Sequence, residues 1–145
     1  MSTVHYMSTS SVFTIADTAA QVRDISADLT SVDGLPGERE MQDHTALGDT
    51  GRMHLPGLDN VTITLEGFFD DTASTGADTV LSALRGFKTN ASAFVFAPVG
   101  TGSTKRKYTG SAWVSDYVTA PKVGELVPFK ATLVVDGVVT ITAYS

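Results

Sequence analysis

The chain has 145 residues, no cysteine and a formal net charge of −6, with 42% apolar and 18% charged residues. That length supports one compact core, and the composition is too apolar for disorder and too polar for a bilayer protein. Without cysteine there is no disulfide framework and no thiolate metal site. No apolar run approaches the roughly 18 residues that span a bilayer, so no membrane partner is expected. The opening MSTVHYMSTSSVF lacks the charged flank and apolar stretch of a signal peptide, which points to synthesis in the cytoplasm. One domain over 1–145 is expected, with 1–10 as a flexible lead-in. Charge is uneven: residues 1–78 hold 13 acids and 3 bases, and 79–145 hold 3 acids and 7 bases. Two poles of opposite sign would favour head-to-tail association, unless the two halves interleave in space.

In chain order, Ser11 to Ala16 reads as a strand, and Gln21 to Thr30, with Val22, Ile25 and Leu29 apolar, as a bent or bulged one. Asp33 to Gly57 is rich in glycine and proline at its start, middle and end. It is too long for a hairpin turn and reads as an arm that orders against neighbouring subunits. Val61 to Glu66 alternates strictly: Val61, Ile63 and Leu65 take one face, and Thr62, Thr64 and Glu66 the other. A turn-rich loop at 70–76 leads into a helix over about 77–87, where Val80, Leu81, Leu84 and Phe87 recur at helical spacing. Ser74 or Thr75 is its expected cap, Asp78 lies in its first turn, and Gly86 falls where helices stop. Four strands follow: Ala93 to Ala97, Lys105 to Tyr117, Leu126 to Val135, and Val138 to Tyr144. Asp136-Gly137 fits either a hairpin turn or a glycine bulge within one longer strand. The fold class is mainly β, sandwich- or barrel-like, with one short flanking helix and a long loop at about 33–57.

Sites of chemistry are sparse. His44 and His54 lie in the arm near Asp43 and Asp49, and His5 lies far off; their spacing matches no metal motif, so no metal is assigned. Gly100 to Lys105 differs from a phosphate-binding loop in lacking a glycine before the lysine and a helix after it. Lys105-Arg106-Lys107 is a small basic cluster without an aromatic platform, a poor grip on nucleic acid. The acid pairs Asp70-Asp71 and Glu38 with Glu40 have no nucleophile or ligand loop beside them. Trp113 and Tyr117 fall on one face of their strand, with Ala112 and Val114 opposite, as core or interface side chains. No catalytic constellation and no cofactor is expected, and the chain reads as a non-enzyme.

Three stretches in order resemble the tail tube (major tail) proteins of long-tailed, siphovirus-type bacteriophages. The first runs from Asp24-Ile25-Ser26 through Thr45 to Thr50, Leu55-Pro56-Gly57-Leu58 and Val61 to Leu65, closing at Gly67-Phe68-Phe69-Asp70. The second is the helix Asp78 to Phe87. The third is Tyr108 to Val114 with Val118-Thr119-Ala120-Pro121, Val127-Pro128-Phe129 and Leu133 to Gly137.

The resemblance implies a β subunit whose sheets join in homo-hexameric rings that stack into the tail tube, the conduit for DNA ejection. The partners implied are further copies of the chain, the tape measure, tail terminator and distal tail proteins, and DNA that passes without specific binding. Its place would be the virion tail, assembled in the host cytoplasm. An acidic subunit suits a lumen that must not hold a polyanion. Glu38, Arg39, Glu40, Asp43, His44, Asp49 and Arg52 are the expected inter-ring or inter-subunit residues, and Thr62, Thr64 and Glu66 the expected lumen face. Competing readings are a tail terminator or capsid decoration subunit, a carbohydrate-binding module using Trp113 and Tyr117, and, last, an enzyme.

Overall fold

The structure is a computed structural model in which residues 5–7 and 9–144 are described. The lead-in expected over 1–10 falls in part on residues 1–4 and 8, outside the described residues. Strands β1 (Val12–Ala16), β2 (Val22–Asp24), β3 (Leu29–Asp33), β6 (Thr62–Phe68), β7 (Ser92–Ala97), β8 (Arg106–Thr119), β9 (Pro128–Val135) and β10 (Thr140–Ala143) form one antiparallel sheet. Its order is β2-β1-β7-β8-β9-β6-β3, with β10 also on β8. Strands β4 (Glu38–Asp43) and β5 (His54–Asn60) pair only with each other, and helix α1 spans Ala77–Arg85.

Strand β8 is the spine. Its first half pairs with β7 and β10 and its second half with β9, so it belongs to two half-sheets. Alternation sends Ile63 and Leu65 of β6, Ala131 and Leu133 of β9, Ala112 and Val114 of β8, and Phe13, Ile15 and Phe94 of the other half into one buried cluster. Helix α1 adds Val80, Leu81 and Leu84 to that cluster, so the expected period-3.6 face is the buried one. Phe13 and Phe94 stack with ring centroids 6.1 Å apart. The architecture is thus the mainly β, sandwich-like one expected, with one short helix.

Several local expectations change. The stretch 21–30 is not one bent strand. Asp24 accepts hydrogen bonds from the Ser26 amide at 2.9 Å and the Ser26 hydroxyl at 2.5 Å, turning the chain through a 3-10 turn at Ser26–Asp28. Neither Ser74 nor Thr75 caps α1; Gly76 holds the cap position, and the Asp28 carboxylate accepts from the Ala77 amide at 3.1 Å. A carboxylate distant in sequence satisfies a donor that a local hydroxyl was expected to take.

Trp113 and Tyr117 do not share a face. A bulge between Val114 and Asp116 adds one residue to β8, which turns Tyr117 inward opposite Ala131 and leaves Trp113 outward opposite Val134. Tyr117 stacks on Phe129 at 5.4 Å, which removes it from any shared platform with Trp113. Asp136-Gly137 forms neither the hairpin nor one continuous strand: β9 and β10 are separate strands that do not pair with each other. Both β9 and β10 run antiparallel to β8 along the same edge, Val135 facing Ala112 and Thr140 facing Thr109. The acidic and basic halves of the chain interleave as well, since β7, β8 and β9 lie between β1 and β6.

Candidate assembly surfaces

The arm is the region expected as a long loop, and it is ordered as a β-ribbon. Arg39 pairs with Asp59, Met41 with Pro56, Gln42 with Leu55 and Asp43 with His54. Glu38, Arg39, Glu40 and Asp43 therefore lie on β4, while His44, Asp49 and Arg52 lie in the tip between the strands. The tip is knitted by its own polar groups. Asp43 accepts from the Thr45 amide at 2.9 Å and the Thr45 hydroxyl at 2.6 Å, Asp49 accepts from the Ala46 amide at 2.7 Å, and the His44 backbone amide donates to the Met53 carbonyl at 2.9 Å. Arg52 pairs with Asp43 at 2.9 Å, and Arg39 with Asp59 at 3.5 Å. The Thr45 hydrogen bonds, with a smaller share from Arg52, hold the Asp43 carboxyl below its ordinary range.

Despite this internal order, every residue from 36 to 60 is exposed. The exposed apolar side chains include Met41, Leu47, Met53, Leu55 and Leu58. Met41 and Pro56 face each other across the ribbon, whereas Leu55 is opposite Gln42 one position along, so apolar groups occupy both faces. The polar residues singled out in the sequence lie among them, and the apolar ones carried the signal that was missed. The base of the arm is fixed. Gly34 has φ +102°, and a Cβ there would stand 2.1 Å from the Thr62 carbonyl oxygen; at Gly37, φ +112°, one would meet Val61 at 2.4 Å.

A second surface is the outward face of β3, β6, β9 and β8. Thr62, Thr64 and Glu66 lie on it as expected from alternation, separate from the arm ribbon. The ladder sets Glu66 between Ser31 and Lys130, Thr64 between Asp33 and Thr132, and Thr62 beside Val134 and Trp113. At the far end of β6 this face opens into a groove of about 620 Å³ lined chiefly by Glu66, Phe68, Asp116, Val118, Pro128 and Lys130. Phe68 is 43% exposed and Val118 59%.

The edges of this four-stranded half are open. Among the described residues no strand pairs with β3 on the side away from β6, nor with 113–119 of β8 on the side away from β9. Both edges offer unpaired backbone groups, the feature that solitary sheets must cover.

At the helix N-terminus, burial raises the Asp28 carboxyl above its ordinary value, and the neighbouring Asp70 adds to the rise. Burial also pushes the Tyr117 phenol up, with Asp78 contributing, and its hydroxyl oxygen is buried without a hydrogen-bond partner. This cluster is a structural joint between the 3-10 turn, α1 and β8. Among the described residues no three His, Asp or Glu side chains come together as a metal site. Gly100 to Lys105 is the loop between β7 and β8, with a strand after it. The basic cluster does find aromatic partners, but from elsewhere in the chain: Lys105 lies 4.4 Å from the Tyr6 ring centroid and Lys107 4.6 Å from that of Tyr144.

No protein-family profile and no curated protein sequence matches the chain. Solved structures do match in fold. The sheath/tube terminator of an extracellular contractile injection system, PVC, in the extended state superposes with a TM-score of 0.68 at 14% identity, covering 97% of this chain and 99% of that one. A chain from the tail of an empty GTA particle, with C6 symmetry, gives 0.66 at 19% identity over 91% and 95%. The tube-terminating cap of the anti-feeding prophage gives 0.65 at 16% over 99% and 95%. The chain is similar to these in fold along nearly its whole length.

Proposed function

We propose that the chain is a structural tail protein of a phage-type particle, and that it builds the tail tube as stacked hexameric rings through which DNA is ejected. The observation that carries this reading is the arm: an internally ordered, two-stranded ribbon with apolar side chains on both faces and no contact surface of its own. An isolated hairpin is marginal in water, so such a ribbon is stable in company. Within a ring, the free β3 edge of one subunit and the free β8 edge of the next complete each other's hydrogen bonding. The half-sheet has four antiparallel strands, an even number, so adjoining copies continue the alternation of strand direction around the ring. The heterologous interface closes when the rotation between copies does.

In this arrangement Thr62, Thr64 and Glu66 line the lumen together with Asp33, Thr132 and Asp116, and Glu38 to Arg52 contacts an adjacent ring. The fold of the GTA tail chain, whose particle tail has six-fold symmetry, supports the ring number. Tape measure, tail terminator and distal tail proteins would be the further partners, the virion tail the location, and no catalysis is involved. A second reading, a tube terminator, is favoured by the superposition on the PVC terminator, which is as good as that on the tail chain.

Negative-stain electron microscopy of the purified chain at rising concentration separates the two. Tubes of open-ended length establish the tube reading, single rings that do not stack establish the terminator, and monomers at every concentration overturn both. For the lumen, Thr64→Lys should leave tubes intact and impair DNA passage; unchanged infectivity removes this face from the lumen.

A further inference from the structure

Arm and groove lie at opposite ends of the same strand. The arm rejoins the sheet immediately before Thr62, and the apolar groove is lined by Glu66, Gly67 and Phe68 at the other end of β6, about 20 Å away at 3.3 Å per residue. We infer that the groove formed by Phe68, Val118 and Pro128 is the receptor for the arm of a second copy of this chain, so that copies stack head to tail. This inference rests on the assembly reading above and names the surface that receives its arm.

The arguments for that occupant are complementary. The groove's walls, Phe68 and Val118, are exposed apolar side chains that nothing in the monomer covers, and the arm presents Leu55 and Met41 in the same condition. Lys130 on the groove floor takes part in no ion pair among the described residues, and neither does Glu40, which shares the Leu55 face of the ribbon near Gln42. Seating Leu55 between Phe68 and Val118 would bring this carboxylate toward that ammonium group. When copies align head to tail, each addition leaves one arm free at one end and one groove free at the other, and such a heterologous contact propagates, which is what a stack requires. The ribbon's tip is already hydrogen-bonded, so docking orders few new residues, and the stiff junction at Gly34 and Gly37 fixes its direction.

Complementation between two defective full-length variants tests the pairing. One variant, Val118→Asp, keeps its arm and loses its receptor; the other, Met41→Asp with Leu55→Asp, keeps its receptor and loses the apolar contacts of its arm. Each alone should be folded by circular dichroism and fail to stack. Their mixture should form complexes of limited length in which the first variant donates every arm. Val118→Lys should behave as Val118→Asp does, showing that loss of the apolar wall and not the sign of the new charge is responsible. Because the chain has no cysteine, Leu55→Cys with Val118→Cys should also give disulfide-linked multimers in assembled material, while either alone gives none beyond background. Stacking by Val118→Asp at the wild-type level, or assembled tubes with no Leu55–Val118 cross-link, overturns the inference and leaves the tube reading standing. A wild-type chain that never stacks refutes the tube reading itself; cross-linked pairs in that material would still support the receptor, and their absence would overturn it.

Discussion

The body and the arm are both antiparallel β-structure, yet they are stabilised by different means. In the body the strands β1, β6, β7, β8 and β9 each have a buried inward face, and the pattern on β6, with Ile63 and Leu65 fully buried between less buried neighbours, is the one a half-buried strand must show. In the arm the same alternation buries nothing: β4 and β5 are exposed at every position. Ladder hydrogen bonds, two ion pairs and a knitted tip hold its shape, while the hydrophobic contribution that dominates in the body is deferred to whatever covers Met41 and Leu55. A region can thus be ordered within one chain while its apolar side chains stay uncovered, which is why the arm is the surface we propose for assembly.

Substitutions that separate the two regions should range from large to negligible effects on folding. Phe94→Ala, which removes a ring stacked on Phe13 in the core, should cost about 3–5 kcal/mol in denaturant unfolding, and a loss below about 1 kcal/mol would mean that the body is not packed around it. Gly34→Ala tests the junction. The left-handed backbone and the approach to Thr62 should together cost about 2 kcal/mol or more, with the arm displaced and stacking lost; wild-type stability and stacking would show the base to be pliable.

Asp28→Ala removes the remote helix cap and should cost about 1 kcal/mol, whereas Asp28→Asn keeps an oxygen for the Ala77 amide. The sign of the pH effect follows from the raised Asp28 carboxyl. Its contribution is fully present below the ordinary value of 3.8 and is lost as pH rises through the raised one. Asp28→Asn should therefore gain stability relative to the wild type as pH rises above 3.8, and unfolding curves that run parallel as pH is raised would remove burial as the dominant influence on this group. At the far end of the scale, Leu55→Ser should change monomer stability by less than about 0.5 kcal/mol while abolishing assembly, since the side chain is exposed on the ribbon. A destabilised Leu55→Ser monomer would contradict the contrast drawn between arm and body.

The legible parts of this protein were those where a short local pattern is enough. Val61 to Glu66 showed its two faces through strict alternation, and Val80, Leu81 and Leu84 showed the buried stripe of the helix. The position of the arm was also legible, from the glycines and prolines that bracket Asp33 to Gly57. Its ribbon was not, because Glu38 to Asp43 carries a polar strand whose partner, His54 to Asn60, is interrupted by proline and glycine.

What the tertiary structure alone decided depends on groups distant in sequence. The outcome at Asp136-Gly137, two separate strands in place of a hairpin, was settled by β9 and β10 both pairing with β8. The separation of Trp113 from Tyr117 came from one extra residue in β8, which period-2 counting cannot anticipate because a bulge reverses the facing of everything after it. The cap of α1 came from Asp28, far along the chain, in preference to the hydroxyls next to it. Placing the groove at the end of β6 away from the arm likewise required the whole sheet, since β3, β6, β8 and β9 line it from separate parts of the chain. Local sequence therefore determined which residues turn inward, through periodicity and burial, whereas only the paired sheet decided which exposed residues stand together, because strand order and register are set by contacts between distant segments.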